Sequence, residues 1–111
     1  MDSLDAWRDA IERILSEHAA IPYRYGDIRS EVVFDRKHDR YLIVDTGWER
    51  GDRVHGTLVH IDILEGRIWI QYDGTERGVA HDLVDAGVPR ECIVLGFREP
   101  AVRKYTGFAA A

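Results

Sequence analysis

Apolar positions recur along this chain with two different periods, and the change of period marks out its elements. Leu4, Trp7, Ile11, Ile14 and Leu15 are three or four residues apart. That spacing lines them along one side of a helix and leaves Asp9, Glu12, Arg13 and Glu17 to the rest. Asp2 or Ser3 can cap its start, since either side chain can accept a hydrogen bond from a free first-turn N–H. Pro22 lies beyond the expected end near Ala19. A helix of about four turns is marginal alone, so its apolar stripe needs a sheet or a partner over it.

From Glu31 onward the pattern becomes that of strands. Glu31–Asp35 and Arg40–Asp45 predict an antiparallel hairpin around the polar turn Arg36-Lys37-His38-Asp39, with Gly47–Asp52 as an exposed loop carrying Trp48. In a third strand, Arg53–Ile63, Thr57, Val59, Ile61 and Ile63 fall on one face, and Leu58, His60 and Asp62 on the other. In the fourth, Ile68, Ile70 and Tyr72 share a side opposite to Arg67, Trp69 and Gln71. A two-residue turn at Glu65-Gly66 pairs Ile63 with Ile68, Ile61 with Ile70, Asp62 with Trp69 and His60 with Gln71. A three-residue loop would mix the faces, so the pattern favours the shorter turn.

Gly78–Ala86 then reads as a short helix with Val79, Leu83 and Val84 inward, ended by Gly87 in the left-handed position and by Pro89. Cys92–Phe97 has the composition of a buried last strand. After it the tail is irregular or makes one helical turn from Pro100. The chain thus predicts an α+β fold. An N-terminal helix and one short helix before the last strand accompany an antiparallel sheet of four to five strands built from hairpins. Residues 1–111 form a single domain.

Composition narrows the function classes. With 111 residues, 45% hydrophobic and 32% charged, the chain can build one sizeable core and is not of disordered type. Its formal net charge of -5 argues against general phosphate neutralisation as a mode of action. Cys92 is the lone cysteine, which removes an intrachain disulfide, a thiolate zinc cluster and a redox pair, and it reads as a small core residue. No apolar run approaches the roughly 18 residues needed to span a bilayer. The acidic N-terminus lacks a signal-peptide pattern, so a cytoplasmic location is expected.

The sharpest chemical constellation is His60 with Asp62, two residues apart on one strand face, with Asp45 and His55 as the spare metal ligands. A hydrolytic metal site takes three protein ligands and an open position, and no nearby motif completes one. A structural or partner-facing polar pair is therefore preferred to catalysis, and no cofactor or metal is expected. Phosphate-loop, GxSxG and HExxH patterns are absent from the sequence. Arg98, Arg103 and Lys104 beside Tyr105 are the candidate nucleic-acid contacts, although three charges on a tail are usually solvated. Tyr23-Arg24-Tyr25 reads as a loop anchored by its rings more readily than as a stacking platform for bases. The second sheet face is expected to carry Tyr41, Ile43, Leu58, His60, Trp69 and Gln71, a mixture too apolar to leave in water. With Trp48 it forms the candidate partner interface: Trp48, His60, Asp62, Trp69 and Gln71.

The ordered succession Tyr23-x-Tyr25-Gly26, Val44-Asp45-x-Gly47-Trp48, Arg53-Val54-x-Gly56, His60-Ile61-Asp62-Ile63 and Gly66-x-Ile68-Trp69-Ile70-Gln71 continues through Gly74-Thr75-Glu76, Gly87-Val88-Pro89, Ile93–Phe97 and Arg103-x-x-Thr106-x-Phe108-Ala109. It resembles the XisI family, called the fdxN-element excision controlling factor, over nearly the whole chain. The resemblance implies a small α+β accessory factor in programmed removal of a DNA element, where a separate recombinase performs strand exchange. It further implies a XisH-like, nuclease-fold partner, and it carries no catalytic residue onto this sequence. A homo-oligomer is a second way to cover the face. Direct DNA binding through the basic tail and a small metal-dependent nuclease or hydrolase at His60 and Asp62 are the rival readings.

Overall fold

In the computed structural model, which describes residues 3–111, the helical stripe runs from Ser3 to Ala19 (α1). Ser3 is its first residue, and Asp2, the other capping candidate, lies outside the described residues. Five strands follow: β1 Asp27–Asp35, β2 Arg40–Glu49, β3 Asp52–Leu64, β4 Arg67–Asp73 and β5 Ile93–Leu95. A short helix, α2 Val79–Asp85, joins the last two. The strands lie in sequence order in one sheet. The first four pair antiparallel, but β5 lies parallel to β4, so the sheet is mixed rather than purely antiparallel. That follows from α2, because a crossover helix returns the chain to the same end of the sheet whereas a hairpin reverses it.

The hairpins are longer than the apolar pattern suggests. β1 starts at Asp27 instead of Glu31, and β2 continues through Gly47 and Trp48 to Glu49, leaving Arg50-Gly51 as the turn where a six-residue loop was expected. Both turn residues have positive φ, 50° and 82°, as do Glu65 and Gly66 at 50° and 76°. These are the conformations that let a two-residue turn follow the strand twist. The Glu65-Gly66 turn pairs Ile63 with Ile68, Ile61 with Ile70 and Asp62 with Trp69, as predicted.

Two register shifts then redistribute the faces. On β3, Val59 meets Ile43 but Thr57 meets Val44, which leaves Leu58 as the extra residue of a bulge. Leu58 consequently packs against the helix-side core, and Thr57, expected inside, is exposed. On β4 the extra residue is Gln71, so His60 opposes Tyr72 and not Gln71. Tyr41 and Ile43, expected on the second face, stand opposite Ile61 and Val59 and are fully buried with them.

The core lies between one sheet face and the two helices. Ile11, Ile14 and Leu15 of α1, with Val79 and Leu83 of α2, pack on Tyr41, Ile43, Val59, Ile61, Ile63, Ile68, Ile70 and Ile93. α2 starts where Asp73 accepts a hydrogen bond from the Val79 N–H (2.8 Å), and ends at Gly87, whose φ of 99° permits the Val88 N–H to bond the Leu83 carbonyl (3.0 Å). His18 Nε2 donates to Asp82 Oδ2 at 2.8 Å and ties the two helices together.

Asp39 fixes the other end of α1. Arg8 donates to both of its oxygens (2.8 and 3.1 Å) and the Tyr41 hydroxyl donates to Oδ1 (2.8 Å). The Arg8 bond is the main reason that this carboxyl titrates below the ordinary carboxylate range, with Tyr41 adding to the effect and burial opposing it. Stability from the ionised group is therefore fully present above the unfolded value of about 3.9 and is lost as pH falls through the lower folded one. Asparagine tolerates the φ of 55° at this position. Asp39→Asn is expected to cost about 1–2 kcal/mol at pH 7, and the difference from wild type should vanish in urea titrations repeated in acid. A gap that stays constant into acid would refute this role.

Candidate functional site

The sheet face away from α1 and α2 is a grid whose rows cross the strands. One row reads Asp35, Arg40, Asp62, Trp69 and Val94, and the next Val33, Leu42, His60 and Tyr72. Beyond them lie Glu31, Val44 and Thr57, then Arg29, Thr46 and His55, and finally Asp27, Trp48 and Arg53. Val33 is 51% exposed and Tyr72 also 51%, with Leu42 and Val44 half-buried between them. An apolar centre is thus bordered by charge on both sides.

Asp62 organises the polar corner of this face. It is 6% exposed and accepts from His60 Nε2 at 2.8 Å and from Gln71 Nε2 at 3.2 Å, while Arg40 Nε lies 3.5 Å from Oδ1. Ordinary alternation from Trp69 puts the Gln71 amide on the side of Asp62, and the bulge there brings Tyr72 to the same face opposite His60. A buried carboxylate is stable only when its lone pairs are occupied, and here three donors surround it. Trp69 is adjacent, with the Arg103 guanidinium 5.2 Å from its ring centroid. Four of the five expected interface residues, His60, Asp62, Trp69 and Gln71, therefore form one patch.

Trp48 stands apart from that patch. It pairs with Arg53, whose guanidinium stacks 5.1 Å from its ring, and it is 52% exposed. Along β2 it is eight residues from Arg40, the neighbour of Asp62, or roughly 26 Å at about 3.3 Å per residue.

The proposed metal ligands do not converge. Asp45 lies on the helix side of β2, accepting from the hydroxyls of Tyr23 and Ser30 (2.6 Å for Ser30), and His55 is exposed two rows away from His60. Among the described residues no group of three or more His, Cys, Asp or Glu is placed to hold a metal ion. Burial first, and then Asp45, pushes the Tyr23 phenol up to about 12, so this tyrosine anchors the connection after α1. The groove of about 330 Å³ between α1 and α2 is lined by matched charges: Arg77 meets Asp82 and Asp85 at 2.8 and 2.7 Å, and Arg13 meets Glu17.

The basic tail is split by its contacts. Arg103 is drawn onto Trp69 and donates to the carbonyls of Arg98 and Gly96 at 3.1 and 3.2 Å, leaving Arg98 and Lys104 over Phe97 and Tyr105. Tyr105 is 78% exposed. Residues Pro100–Tyr105 make a 3₁₀ turn, and Ala109 N–H bonds the Ile93 carbonyl at 2.8 Å, so the tail straps the β5 side of the sheet. Sequence reasoning missed Val33, Leu42, Val44 and Tyr72 as face residues. The signal available was that Leu42 and Val44 alternate with Tyr41, Ile43 and Asp45, so that one set must leave the core.

Comparison with known proteins places these features in a family. The XisI protein family profile matches residues 1–110. No curated protein matches the chain. Two solved structures from Anabaena variabilis ATCC 29413 are similar throughout. One is a XisI-like protein, 32% identical over 97% of this chain and 99% of its own, with a TM-score of 0.88. The other is the fdxN element excision controlling factor XisI, 30% identical over 99% and 100%, with a TM-score of 0.85. Among the described residues no helix is long and apolar enough to cross a membrane. With its sequence matched almost end to end and its fold superposing on both of these structures, this chain belongs to the XisI family.

Proposed function

We propose that this protein is a non-enzymatic accessory factor controlling a DNA-element excision event, and that it acts by binding a XisH-like, nuclease-fold protein on its helix-free sheet face. The reading draws on the name borne by its structural relative, an excision controlling factor. The observation that carries it is the row Val33, Leu42, His60 and Tyr72, an apolar strip with a polar corner on a face without a covering helix. Interfaces favour an aromatic and aliphatic centre with a polar border. His60 and Asp62 fit within it as positioned recognition groups, since each already satisfies the other. The acidic chain supports protein over DNA as the first contact.

Co-elution with the XisH-like protein in size-exclusion chromatography tests the proposal. A complex should form at micromolar concentration, and Leu42→Glu, a charge placed in the half-buried centre, should weaken it roughly 30-fold, as for an interface residue contributing about 2 kcal/mol. Persistent separate elution rejects the partner. DNA cleavage by the purified protein alone, abolished in His60→Ala, would reject the non-enzymatic role.

A further inference from the structure

The sheet has two edges, and they are treated differently. β5 is three residues long and is overlaid by the tail through the Val94–Ala109 bridge. β1 is nine residues long, pairs with β2 without a register break, and contains no proline or lysine. Among the described residues, no backbone bond outside the β1–β2 ladder reaches it. A long regular edge of this kind is a template for another strand, and natural proteins usually blunt it. Val32 and Val33 on this edge remain 38% and 51% exposed.

We propose that β1 is the seam of a homodimer, in which it pairs antiparallel with β1 of a second copy about a two-fold axis at Ser30. The sequence of the strand selects the register. A two-fold axis normal to the sheet keeps like faces together, so directly opposed residues must share a face and the centre must fall on a residue. Centring on Arg29 or Glu31 sets each against its own copy, and centring on Val33 opposes Glu31 to Asp35. Those arrangements place like charges directly across the seam, which is unfavourable. Centring on Ser30 opposes Arg29 to Glu31 twice and Ile28 to Val32 twice. The remaining centre of comparable overlap, Val32, opposes Arg29 to Asp35, a carboxylate already engaged by His38 at 2.8 Å. It also sets Ser30 against Phe34. The Ser30 register combines opposite charges with matched apolar pairs, while Asp27 faces Val33. Arg29 and Glu31 lie 3.7 Å apart within the strand and are both largely exposed, a loose contact that an opposed copy can share. The seam borders the sheet face assigned to the partner and shares Val33 with it, but self-association and co-elution are read separately, so either proposal can fail without the other.

Sedimentation equilibrium on the full chain, with circular dichroism to verify the fold of each variant, decides the matter. Wild type should be a dimer. Glu31→Arg turns both Arg–Glu contacts into Arg–Arg and should raise the dimer dissociation constant about tenfold. Combining it with Arg29→Glu restores opposite charges across the seam and should return the constant close to wild type. A monomeric wild type at high micromolar concentration, a dimer indifferent to Glu31→Arg, or a double variant no better than the single one each overturns the proposal.

Discussion

Gly47→Ala should destabilise the protein by roughly 3–4 kcal/mol, although it adds a single methyl group to a strand. A Cβ at this position would stand 1.9 Å from the Asp27 carbonyl oxygen, 2.7 Å from the Ile28 Cα and 2.8 Å from the Asp27 carbonyl carbon. All three are backbone atoms, so no side-chain rotation relieves the overlap. β1 would have to withdraw by more than 1 Å to reach ordinary contact. Withdrawal breaks the ladder where Ile28 faces Gly47 and pulls Ser30 and Tyr23 away from Asp45. Urea denaturation gives the size of the loss, and amide exchange should localise it to Asp27–Ser30. A variant within about 1 kcal/mol of wild type would mean that β1 yields there at small cost.

That close approach also explains why the sequence misleads at the same point. Gly47 and Trp48 read as a loop because glycine interrupts strand patterns and a tryptophan between polar residues suggests exposure. The physical role of Gly47 is instead to admit a neighbouring backbone, which a single sequence does not distinguish from a turn. The helical stripe of α1 and the Glu65-Gly66 turn were legible because periodicity and two-residue turn chemistry are local. The bulges at Leu58 and Gln71 were not: each inserts one residue into an otherwise regular alternation, and only the partner strand reveals it. The bulge on β3 therefore put Leu58 and Thr57 on the wrong face. Tyr41 and Ile43 lie on regular β2, where their alternation with Leu42 and Val44 was the signal passed over, whereas His60, Asp62 and Trp69 kept the right face. The Arg103–Trp69 stack joins residues 34 positions apart and leaves no trace in any local pattern.

The same geometry separates two roles within the partner-facing patch. His60 and Gln71 are half-buried and can turn part of their polar surface to a ligand, whereas Asp62 is almost wholly enclosed and touches a partner chiefly through them. The hydrogen bonds fix the direction of dependence, since both neighbours donate to the carboxylate.

Asp62→Ala is accordingly expected to have a larger effect than changing either neighbour. It leaves the His60 ring, the Gln71 amide and the Arg40 guanidinium facing a vacated acceptor. Removing the central partner of such a group costs about 3 kcal/mol. His60→Ala or Gln71→Ala removes one donor from a carboxylate that keeps the others, and should cost about 1 kcal/mol each. Asp62→Asn retains one acceptor oxygen and should fall between. Partner affinity should follow the same order, because released His60 and Gln71 side chains must be reordered on binding. Equal losses for Asp62→Ala and His60→Ala, in denaturation and in partner titration alike, would show that the carboxylate does not hold the patch together.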